Sequence, residues 1–178
     1  MKSLRSILLV LTALALTSPL FAQEKKPRVS PHETVNATVD GAKITIVYGR
    51  PYTKDPKSGE KRKIWGGLVP YGKVWRLGAD EATILTTDKD ISIGGTAITP
   101  GSYSLYLWPE ESGAKLIVNK QTGQWGTKYD EKQDLARIDL KKEALTKEAD
   151  QFTIAVDGST LKLTWENTQY SAAIAGKK

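Results

Sequence analysis

Cysteine is absent from the 178 residues, and histidine occurs once, as His32. The first absence excludes disulfides, thiol nucleophiles, Cys-ligated zinc and iron–sulfur clusters, so the core must hold without staples. The second confines any Ser-His-Asp triad to one position and excludes a multi-histidine metal site within the chain. No G-x-S-x-G elbow, Walker loop or dinucleotide fingerprint occurs. No cofactor is expected. The longest apolar run, Ile7 to Leu16, falls short of the roughly 20 residues that span a bilayer.

What does occupy the N-terminus reads as a secretory signal. Lys2 and Arg5 supply a positive start, Ile7–Leu16 the apolar centre, and Leu20-Phe21-Ala22 a small-residue end suited to cleavage. The expected division is a signal peptide over 1–22, a charged flexible leader over 23–30 and a single β-sandwich domain over 31–178. The protein is then exported, periplasmic or extracellular, with no stable membrane span after cleavage. Net charge is +6, of which Lys2 and Arg5 contribute two. The remaining lysines are dispersed and interleaved with acids, which fits a solubilising surface; nucleic acid is not an expected partner.

From residue 31 onward, alternation dominates. Ile44, Ile46 and Tyr48 share one face of an extended segment, as do Tyr103, Leu105 and Leu107, then Phe152, Ile154 and Val156, then Leu161, Leu163 and Trp165. Asp40-Gly41, Gly94-Gly95 and Asp157-Gly158 punctuate these runs as hairpin turns. The pattern predicts an all-β, antiparallel fold, a two-sheet sandwich or a partly closed barrel. It has about nine or ten short strands, near 34–39, 43–49, 83–87, 90–93, 96–98, 102–108, 114–119, 135–140, 151–156 and 160–166. At most one short helix is expected, over Asp139–Ala149, where Lys, Glu, Ala and Leu accumulate.

Three arginines lie in aromatic, Gly/Pro-punctuated loops. Arg50 sits in Tyr48-Gly49-Arg50-Pro51, Arg62 precedes Ile64-Trp65-Gly66-Gly67, and Arg76 follows Trp75. A guanidinium presents five donors in a planar fork, suited to a carboxylate, a phosphate or several backbone carbonyls. Two readings follow. The arginines pin their own loops, with Asp80, Asp130 and Asp134 as candidate partners, or they converge with Trp65, Trp75 and Asp80 on a recess for an anionic ligand. A second group, Asn119, Trp125, Tyr129, Asp130, Asp134 and Arg137, has the donors and aromatic faces to hold a sugar. Alternatively its aromatics cap an open end of the core. No carboxylate spacing matches an EF-hand, and no metal site is expected. The enzymatic alternative is a carbohydrate-active hydrolase with paired carboxylates; a structural envelope protein that contacts other envelope proteins and has no ligand site is the third.

The order Ser30-Pro31, Tyr48-Gly49-Arg50-Pro51, Ile64-Trp65-Gly66-Gly67-Leu68-Val69-Pro70-Tyr71-Gly72 and Val74-Trp75-Arg76-Leu77-Gly78-Ala79 resembles a bacterial family, the domain of unknown function 2911. Gly101-Ser102-Tyr103, Asn119, Gln124-Trp125-Gly126, Tyr129-Asp130 and Asp134 … Arg137 are similar in order and spacing. The resemblance implies an exported, all-β bacterial protein and no established activity. This chain departs from the pattern in two places. Asp80 stands where the family usually has Asn, which favours an internal pair with Arg76 over an open anion site. The segment between Pro51 and Arg62 is longer, with Lys54, Asp55, Lys57 and Glu60.

Overall fold

The computed structural model describes residues 28–177; the signal-peptide reading and most of the expected leader lie outside them. Nine antiparallel strands follow one another: β1 (His32–Val39), β2 (Ala42–Gly49), β3 (Thr83–Thr87), β4 (Ile91–Ile93), β5 (Thr96–Ile98), β6 (Gly101–Pro109), β7 (Ala114–Asn119), β8 (Asp134–Asp157) and β9 (Thr160–Gly176). A single 3-10 turn, Glu131–Gln133, is the one helical element among the described residues. Hydrogen bonding links all nine strands into one sheet in the order β1-β2-β3-β6-β7-β8-β9-β4-β5.

β8 gives this sheet its curl. Its first half pairs with β7, from Asp134 against Asn119 to Leu140 against Ala114. Its second half pairs with β9, from Lys141 against Ser171 to Asp157 against Thr160, with register breaks between Ala144 and Thr153. One layer is therefore β1-β2-β3-β6-β7 with the start of β8. The other is the end of β8 with β9, β4 and β5. Alternation turns Ile44, Ile46, Leu85 and Leu105 of the first layer inward, onto Phe152, Ile154, Leu163 and Trp165 of the second, in one buried cluster. The layers also touch through a polar bond, from the buried Ile154 amide to the Tyr48 hydroxyl at 2.9 Å.

Most strand expectations stand within a residue or two, and the β1–β2 turn has the foreseen chemistry, with Asp40 and Gly41 both at positive φ (48° and 79°). Residues 135–140 and 151–156 are ends of one strand, and the helix expected over 139–149 is its middle. Propensity for helix is a few tenths of a kcal/mol per residue; it yields here to a ladder that has partners on both sides of the segment. β9 likewise runs ten residues past the foreseen end at 166, because its tail pairs with β4 from Ile174 to Gly176.

Candidate functional site

The connection from β2 to β3, residues 50–82, is laid across one end of the curled sheet. Isolated bridges tie it down: Tyr52 to Gln151, Trp75 to Leu107, and Glu81 to Trp125. Trp65 and Trp75 anchor it from within. The Trp75 indole stacks on Trp165 (centroids 5.5 Å apart, planes 21° apart), and Trp65 meets both edge-on. Between this connection, the segment 126–129 and residues 29–30 lies a recess of about 690 Å³, within the range that holds small-molecule ligands. Its apolar surface comes from Trp75, Trp165, Leu68, Val74 and several prolines; among the described residues its cations are Arg62, Lys73 and Arg76, and its one acid is Asp80.

The three arginines do not converge as a set. Arg50 does not line the recess and is spent internally: Nε donates to the Phe152 carbonyl at 3.1 Å, Nη2 to Thr153 Oγ1 at 2.8 Å, and Nη1 to Glu33. Arg62 lines the recess and pins its own loop by donating to the carbonyls of Thr53 and Tyr52. Arg76 is different. Among the described residues, its one hydrogen bond runs from Nη1 to the Asp80 carbonyl, at 3.3 Å. Neither Arg62, Lys73 nor Arg76 has a carboxylate within 4.0 Å among the described residues.

The expected Arg76–Asp80 side-chain pair is thus corrected. Asp80 has φ of 64°, a left-handed conformation that Asp tolerates better than most residues. Its carbonyl faces inward, accepting from Arg76 and from the Gly126 amide at 3.0 Å. Its carboxylate faces outward, 3.7 Å from Arg28 Nη1 and 3.5 Å from His32 Nε2. Gly126 has to be glycine for this arrangement, since a Cβ there would sit 2.3 Å from Arg76 Cδ and 2.8 Å from the Asp80 carbonyl.

Of the second group, only Tyr129 reaches the recess. Asn119 is buried, donating to the Asp130 carbonyl and to Asp134 Oδ1 at 2.8 and 2.9 Å. Asp130 caps the 3-10 turn through the Lys132 amide. The Tyr129 hydroxyl donates to Asp134 Oδ2 at 2.6 Å, and Arg137 donates to both groups. Burial, with the bond to Asp134 and its negative charge behind it, holds the Tyr129 phenol well above the usual tyrosine range. Asn119, Asp130, Asp134 and Arg137 form a closed network that fixes the 120–134 segment, and Trp125 stands exposed beside it. Trp65 is buried in the core beneath the connection.

Sequence reasoning passed over Arg28, Lys73 and Trp165. Arg28 fell in the stretch read as leader, two residues before Ser30-Pro31; Lys73 was in plain view between Gly72 and Val74; Trp165 read only as the inward member of its alternating strand. Trp165 is fully buried at the recess, and its indole N–H lacks an acceptor among the described residues, an uncommon state for a buried donor.

Fold and site together define an all-β protein, one curled antiparallel sheet with a cationic, aromatic-walled recess at one end. The model of the DUF2911 family, described as a protein of unknown function, matches residues 30–174, and the chain belongs to that family. No curated protein and no solved structure matches it. Among the described residues, no helix is long and apolar enough to cross a membrane.

Proposed function

We propose that this is a binding protein for a small organic anion, which it takes into the recess with its charge on Arg76 and its apolar or aromatic body against Trp75 and the surrounding side chains. The observation that carries this reading is the state of Arg76. An arginine with one long bond to a carbonyl and no carboxylate partner, set in a partly apolar wall, has donors to spare for a carboxylate or phosphate. Arg62 and Lys73 add positive potential on the same wall. Three of the exposed large apolar side chains, Val29, Tyr52 and Leu68, ring the same recess, so a ligand with an apolar body has surface to cover.

The hydrolase reading finds less support. Retaining or inverting hydrolysis uses two carboxyl groups about 5 to 9.5 Å apart, and the recess wall carries Asp80 alone. Asp130 and Asp134 are committed to the network behind Tyr129. The signal-like first 22 residues support export, and the recess would then meet its ligand outside the cytoplasm.

Thermal shift against a panel of benzoate, phenyl phosphate, glucuronate and short peptides with free carboxylates tests the proposal. The expected outcome is concentration-dependent stabilisation of the wild type by at least one aromatic anion, and its loss in Arg76→Ala. If every panel member leaves the wild type unmoved, or stabilises Arg76→Ala equally, the recess is not an anion site.

A further inference from the structure

We infer that Arg28 is a positioning residue that keeps Arg76 open, by holding the Asp80 carboxylate on the far side of the recess wall; the inference rests on the anion-binding reading above. Arg28 grips Glu81 with both terminal nitrogens, at 2.5 Å (Nη1 to Oε2) and 2.8 Å (Nη2 to Oε1). The same Nη1 lies 2.8 Å from His32 Nε2 and 3.7 Å from Asp80 Oδ2. A two-pronged Arg–carboxylate contact is the better-defined kind of surface ion pair. It places positive charge where Asp80 can lean on it.

Asp80 has two cations within reach. Its carbonyl already touches Arg76, so a rotation about its own side-chain bonds is the motion that would bring its carboxylate onto the guanidinium. Opposite charges in a partly buried wall attract more strongly than in water. With Arg28 in place, the carboxylate is drawn outward and Arg76 keeps its donors for a ligand. With Arg28 gone, Asp80 neutralises Arg76 and competes with any anion that enters. The grip has a second effect, because it holds Val29 and Ser30 on the recess wall.

These two effects separate in a double variant, since replacing Asp80 by Asn restores an open Arg76 without restoring the Arg28 grip. In wild type, Arg28→Ala, Asp80→Asn and Arg28→Ala/Asp80→Asn, affinity for benzoate is measured by calorimetry. The Arg76 Nε–H resonance is followed by 15N NMR without ligand. Arg28→Ala is expected to weaken binding about tenfold, close to the lower end of the energies measured for close charge pairs, and to move the Arg76 resonance. The double variant is expected to recover most of the affinity and the wild-type resonance, while Asp80→Asn alone binds at least as tightly as wild type. An unmoved Arg76 resonance in Arg28→Ala overturns the inference, with or without ligand binding, and so does a double variant no better than Arg28→Ala. A moved resonance that returns in the double variant, together with no benzoate binding by wild type, upholds the switch of Asp80 and sinks the anion-site reading instead.

Discussion

Asn119 shows how one side chain can settle a loop. It is buried, with its amide nitrogen on the Asp130 carbonyl and Asp134 Oδ1, and its oxygen accepts from the Gln121 amide at 2.9 Å. Asn119→Ala leaves these groups without partners and is expected to lower stability by about 1–3 kcal/mol, read by urea unfolding. Arg50, Asn119, Asp134 and Arg137 were all legible as hydrogen-bonding groups in loops or at strand ends. Their partners were not. Besides Glu33, the acceptors of Arg50 lie at residues 152 and 153, and nothing local to Arg50 in the chain signals that approach. Arg76 could be singled out beside Trp75, but whether it was free depended on the rotamer of Asp80 and on Arg28.

Strand β8 was the element least visible beforehand. Its middle carries helix-forming residues, and only its two ends alternate cleanly enough to be read as strands; that it passes from β7 to β9 is decided by partners distant in the chain. The short strand β3 was legible because alternate residues are buried, which stamps a period of two on it; β6 and β7, buried on both faces over most of their length, stood out as short apolar runs. Where β8 crosses the first layer, the Ile154 amide relies on the Tyr48 hydroxyl. Tyr48→Phe removes that acceptor with almost no change of volume, and the expected cost is about 1–3 kcal/mol for a buried unpaired donor. Equilibrium unfolding measures the cost, and faster exchange of the Ile154 amide locates it.

The protein as a whole has charged groups that define a window of pH. Bonds from Arg28 hold the Glu81 carboxyl down at about 2. Asp55 is lowered by the Lys57 and Ser58 amides, Asp157 by Lys162 and Glu143 by Lys141. Folded-state values below the unfolded ones mean stability that is complete above the ordinary carboxylate range and drains away as pH falls toward 2. At the other end, burial raises the Tyr48, Tyr106 and Tyr129 phenols and pushes Tyr170 up to about 12. Those contributions are complete below pH 10 and are lost as pH rises through the folded values. Melting temperatures taken across pH should form a plateau between about 5 and 10 with losses on both sides. A steady fall from pH 8 to 5 would contradict this assignment.

The stacked pair Trp75–Trp165 has a consequence of another kind. Two indoles 5.5 Å apart and 21° from parallel have transition dipoles close enough to share an excitation, and both rings border the recess. The recess therefore carries its own chromophore: any displacement of either ring by a fraction of an ångström is written into the ultraviolet absorbance, emission and dichroism of the unlabelled protein.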